Sequence, residues 1–173
     1  MKISTRKMCV LALLTALTVI LGMFATFRIG NLVKLPFKFI TVFMVGFLYG
    51  PIWAGVVAAT ADFLEALKMG VNPAITLVEF IGGVIFGLCF FKARENRIYY
   101  VRAFICALLQ FIMNFTVMSV ILVEMGIYPS FSAAVLMRLV AMIILFASQL
   151  IVLCGGRRLA FILKNFISKG DLQ

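Results

Sequence analysis

Asp62, Glu65, Glu79, Glu124 and Arg138 fall within or at the ends of long apolar runs, Lys38 lies at the start of one, and Arg28, Lys34 and Lys68 sit in the polar breaks between them. An ionisable group near hydrocarbon costs a few kcal/mol or more, so a bundle built only for structure has no reason to collect them. With Phe27, Phe37, Phe39 and Phe43 close by in sequence, the chemistry on offer is recognition rather than bond-making. Arg and Lys pair with carboxylate, and aromatic faces accept a flat ring, so a pocket lined by both suits an amphipathic organic anion. The candidate ligand-binding residues are Phe27, Arg28, Lys34, Phe37, Asp62, Glu79 and Arg138. Plainer readings stand beside these. Lys34, Lys38 and Lys68 have the pattern of interfacial, snorkelling cations, Asp62 and Arg138 could form a structural intramembrane pair, and Glu124 suits a solvated helix end. Each phenylalanine alone fits a core or lipid-facing position. Convergence in one half of the chain's topology favours the ligand reading.

The chain has no histidine, which removes the commonest general base and the commonest transition-metal ligand. Cys9, Cys89, Cys106 and Cys154 have no C-x-x-C spacing and lie in apolar stretches, where a thiol behaves as a small hydrophobe. No G-x-x-x-x-G-K-[ST] phosphate loop occurs. No catalytic residue, cofactor or metal is expected, and an intramembrane enzyme using Asp62 or Glu79 would lack any Asp/Glu motif for metal. The formal charge of +10 would suggest nucleic acid in a soluble protein. Here the cations flank apolar segments, where they orient a chain against a membrane instead.

The elements that must position these residues follow from hydropathy. Of 173 residues 65% are hydrophobic and 13% charged, against about half and a quarter in a soluble domain. The pattern predicts an all-α membrane protein, one domain over 1–173, with six transmembrane helices near 8–25, 36–49, 51–67, 74–91, 99–125 and 131–153. Loop one covers the stretch from Thr26 to Pro36. The second helix, with proline at its start, would cover about 20 Å of a hydrocarbon core of about 30 Å. It is therefore short, leaving a recess, or it begins earlier, inside loop one. Placing the amino terminus inside puts eleven of the sixteen Lys and Arg on the inner side. That bias predicts both termini in the cytoplasm.

Ala12-x-x-x-Ala16 puts two small residues on one face of the first helix, where another helix can approach closely. This pair, six helices in fewer than 180 residues, and Phe27-Arg28-Ile29-Gly30 before a Pro-initiated helix are three parts of a larger pattern. The fourth is the block from Val45 to Phe63, with Gly46-Phe47-Leu48-Tyr49-Gly50-Pro51 followed by a Gly/Ala-rich helix ending at Asp62. Together they resemble the substrate-binding S components of energy-coupling factor (ECF) vitamin transporters, most of all the folate (FolT-like) branch. The resemblance implies a subunit of the bacterial cytoplasmic membrane that captures a vitamin outside and has no ATPase of its own. It also implies partners: a transmembrane coupling protein (EcfT) and two cytosolic ATPases, docked through Ala12 and Ala16. Arg28 and Asp62 become ligand contacts on the same grounds. Folate is the first expectation; pantothenate, a queuosine precursor and a thiamine-like compound are alternatives, since Lys68-Met69-Gly70-Val71-Asn72-Pro73-Ala74-Ile75-Thr76 departs from the folate-type pattern. A structural membrane protein without a small ligand is the remaining alternative.

Overall fold

The computed structural model describes residues 5–24, 26–29, 33–67, 70–91, 93, 97–126, 129–158 and 161–162. Of the cations counted above, Lys2, Lys68, Lys92, Arg94, Lys164 and Lys169 lie outside them. Among the described residues α-helices follow in chain order as α1 (Thr5–Phe24), α2 (Phe39–Tyr49), α3 (Pro51–Ala66), α4 (Pro73–Phe90), α5 (Ile98–Glu124) and α6 (Phe131–Gly155). Between α1 and α2 lie two short strands, β1 (Thr26–Ile29) and β2 (Val33–Pro36), paired antiparallel.

The strands correct the expectation of an irregular loop and of a helix starting at Pro36. Apolar residues alternate at Phe27, Ile29, Val33 and Leu35, the period-2 pattern of a strand. Their register sets Phe27 opposite Leu35 and Ile29 opposite Val33. Pro36 ends β2 opposite Thr26 rather than opening the helix. α2 is consequently the short alternative, with 11 residues and a length of about 16 Å.

Proline and glycine punctuate the helices. Gly50 adopts φ +95°, a conformation costly for any residue with a Cβ, and Pro51 opens α3 immediately after it. Asn72 caps α4 by accepting from Ala74 N at 2.9 Å, with Pro73 in the first turn. α4 is central: it packs against α2 and α3 on one side and α5 on the other, with α6 beyond α5 and β2 against α6. The close approach depends on missing side chains. A Cβ on Gly46 would stand 2.9 Å from Gly87 N, and one on Gly83 or Gly87 would meet the backbone of Ala54 or Pro51. A buried aromatic cluster fills the opposite end of the bundle, with Phe43 edge-on to Phe90 at 4.9 Å and Phe47 edge-on to Phe161 at 5.1 Å. Tyr99 joins this cluster and donates to Leu153 O at 3.0 Å.

The outer surface is greasy: Leu13, Ile52, Leu77, Leu88, Leu136 and Ile151 are each at least 60% exposed. Apolar area on that scale marks a surface that meets lipid. Pro73–Phe90, Ile98–Glu124 and Arg138–Gly155 are each long and apolar enough to cross a membrane, and Lys7–Met23 and Phe39–Tyr49 are shorter apolar helices.

Candidate ligand-binding site

Residues three apart on a helix share a face, and two such pairs build the site. α3 carries Asp62 and Glu65, and α4 carries Thr76 and Glu79, set in its first two turns by the Asn72 cap. The two helices pack together, and Lys38, at the cap of α2, enters between them. Its Nζ lies 3.0 Å from Glu79 Oε1, 3.7 Å from Glu65 Oε2 and 3.8 Å from Asp62 Oδ1. Only the first distance is that of a hydrogen bond; the others are ion pairs at longer range. Lys38 is only 9% exposed.

The three carboxylates differ in what they have left to offer. Asp62 is buried and uses both oxygens, since Thr76 Oγ1 donates to Oδ2 at 2.8 Å while Oδ1 faces Lys38. Glu65 turns Oε2 to Lys38, and its Oε1 is buried with no hydrogen-bond partner among the described residues, lying against Gly22 of α1. The Glu79 side chain is the most exposed of the three, at 30%. With all four groups ionised the cluster carries a formal charge of −2, and carboxylate lone pairs outnumber the N–H and O–H donors facing them. Among the described residues it is an acceptor-rich cluster.

This arrangement corrects two expectations. Lys38 is not an interfacial cation; it is the hub of the cluster. Asp62 pairs with Lys38 and Thr76, while half-buried Arg138 reaches Ser119 Oγ of α5 at 3.4 Å. Of the other candidates, Phe37 is half-buried and packs its ring against Phe39 at 6.4 Å. The hairpin backbone places Arg28 directly opposite Lys34, with Phe27 next to Arg28 on β1. Lys38 lies two positions beyond the end of β2, a reach of at most about 7 Å. Glu124 is exposed at the end of α5. Sequence reasoning passed over Glu65 as a partner and missed Thr76 altogether. The i, i+3 spacing of Asp62 with Glu65 and of Thr76 with Glu79 was the available signal.

No group of three or more His, Cys, Asp or Glu among the described residues is placed to hold a metal ion. On α1, Ala12 and Ala16 are exposed while Leu11 and Thr18 are buried, so the two alanines share the outward face.

Comparison with known proteins supplies the frame for this geometry. The chain is 30% identical over 158 residues to the folate transporter FolT of Leuconostoc mesenteroides, spanning 86% of this chain and 82% of that protein. It is 35% identical over 88 residues to the folate transporter FolT of Clostridium novyi, a match that spans 48% of this chain and about half, 51%, of that relative. Among solved structures, that of FolT bound with folic acid matches with a TM-score of 0.76 at 27% identity, covering 94% of both chains. The family model for the ECF transporter substrate-specific component matches residues 6–156. This chain, a membrane protein with the FolT-like fold, belongs to the substrate-specific component family of ECF transporters.

Proposed function

We propose that this chain is the substrate-binding subunit of an ECF-type importer and that its ligand is a folate, taken up from the extracellular face. The observation that carries the reading is the separation of charge between the Lys38 cluster and the hairpin. Carboxylates of α3 and α4 surround Lys38, and a few residues away the hairpin register sets Arg28 against Lys34. A folate has matching ends. Its 2-amino-4-oxopteridine edge presents adjacent N–H donors, which suit a carboxylate face, and its glutamyl end presents two carboxylates, which suit Arg and Lys. Like charges directly opposite in an antiparallel pair are destabilising, so an anion bound there would relieve the hairpin. Phe27, Phe37 and Arg138 complete the proposed set of ligand contacts, with Asp62 and Glu79 at the pteridine end. All six helices cross the bacterial cytoplasmic membrane with both termini inside, following the charge bias. Ala12 and Ala16 dock the transmembrane coupling protein, whose two ATPases supply the energy.

Calorimetric titration of the detergent-purified protein with folate, pterin and p-aminobenzoylglutamate tests the reading. Folate is expected to bind more tightly than either fragment, and Arg28→Ala to weaken folate and p-aminobenzoylglutamate while leaving pterin unchanged. No saturable binding of any of the three would overturn it.

A further inference from the structure

Two contacts join α1 to the charged cluster. Thr18 is completely buried, and its Oγ1 lies 2.7 Å from Leu14 O in its own helix and 2.8 Å from Thr41 Oγ1 in α2. Thr41 is also buried, and its Oγ1 lies 2.8 Å from the main-chain oxygen of Lys38. One turn beyond Thr18, Gly22 faces Glu65: a Cβ there would fall on the Glu65 carboxylate. Thr18 and Gly22 are four apart and share one face of α1. Ala16 lies two residues from Thr18, about 200° round the helix, and is exposed.

Each hydroxyl reaches a carbonyl near its own turn, but self-satisfaction does not require the two to meet between α1 and α2. A helical threonine can bond its own i−4 carbonyl, as Thr15 does with Leu11 O at 2.8 Å, so packing alone would be served as well by valine. Two buried hydroxyls meeting across a helix interface add an interhelical hydrogen bond, and this one ends on the residue that supplies the cluster's ammonium. Gly22 likewise leaves the space that Glu65 occupies.

We infer that Thr18 and Thr41 are positioning residues for Lys38, and Gly22 for Glu65, so that α1 holds the ligand recess on one face while presenting the docking alanines on the other. The inference rests on the proposed function and deepens it: shifting α1 on docking alters the recess, and ligand binding alters α1 by the same free energy.

The test measures folate affinity of the full chain, free and bound to the transmembrane coupling protein, for Thr18→Val, Thr41→Val, the double variant, Thr18→Ser and Gly22→Ala. Each valine variant should weaken folate about two- to tenfold, the loss expected for one hydrogen bond. The double variant should be no worse than either single one, because both remove the same link. Thr18→Ser should restore wild-type affinity, and Gly22→Ala should weaken folate by displacing Glu65. In Thr18→Val the ratio of free to docked folate affinity should move toward one. Valine variants with wild-type affinity and ratio, or equal losses in Thr18→Val and Thr18→Ser, would overturn this inference alone. Absence of folate binding by the unmodified protein would overturn both it and the proposed function.

Discussion

Replacing Lys38 by methionine keeps the length of the side chain and removes its charge. At an effective dielectric constant of about 20, the 3.0 Å contact with Glu79 corresponds to about 5 kcal/mol of Coulomb attraction. The contacts at 3.7 and 3.8 Å add attraction, while desolvation of the buried ammonium subtracts from it. Removing one partner of a buried ion pair costs about 3–5 kcal/mol in total, mostly because the charges left behind have no counter-ion. Taking about 3 kcal/mol, and about 2–4 °C per kcal/mol for a chain of this size, the melting temperature should fall by about 6–12 °C. The assay is thermal unfolding of the purified protein in detergent, followed by circular dichroism. Glu79→Gln provides the internal check. Placed in the Lys38→Met background it removes a carboxylate that has lost its partner, so the double variant should be more stable than Lys38→Met alone, with a coupling energy of about 1–3 kcal/mol. A melting temperature within about 1 °C of wild type for Lys38→Met, or strictly additive effects in the double variant, would refute the cluster as the organising feature of the site.

Glu79→Gln in the wild-type background should weaken pterin and folate by about tenfold and leave p-aminobenzoylglutamate unchanged, read by the same calorimetric titration. Gly87→Val should lower stability by about 1–3 kcal/mol or prevent folding, since its Cβ would meet the Pro51 backbone, whereas Gly155→Ala, with nothing within 4 Å, should melt at the wild-type temperature or above. Ala12→Trp on the exposed face of α1 should abolish co-purification with the transmembrane coupling protein and leave folate affinity within about twofold of wild type.

The sequence announces its breaks better than its pairings. Gly50-Pro51 and Asn72-Pro73 are strong local punctuation, and helices end and restart there because the fixed φ of proline and the positive-φ freedom of glycine act within one or two residues. The anomalous charges were equally legible, as few residues are so expensive in an apolar run. What could not be read is which charges meet. Lys38 lies 24, 27 and 41 positions before its three carboxylate partners, and those distances are closed by glycine contacts between α2, α3 and α4: the four-residue spacing of Gly83 and Gly87 marks a closely approached face but not which helices approach it. A lone lysine at the start of an apolar run has the local signature of a snorkelling cation, and without the tertiary contacts the sequence leaves open whether Asp62 pairs with Arg138 or faces a ligand. The hairpin was missed for a different reason. Four-residue strands offer only two cycles of alternation, and Arg28, Asn31 and Lys34 break up the stretch as a loop would.

The glycine contacts at the centre of the bundle also decide which parts of the molecule can slide. Where Gly83 meets Ala54 and Gly87 meets Pro51, backbone rests on backbone, with no side chain between them to change rotamer and act as a bearing. Interfaces of that kind shift only in whole steps, because a small displacement drives atoms already in contact into one another. α2, α3 and α4 therefore form a chassis, and the joint with α5 is further fixed by Gln110 donating to Gly82 O at 2.8 Å. Mounted on that chassis are α1, held by its threonine and glycine contacts, and the hairpin that follows it.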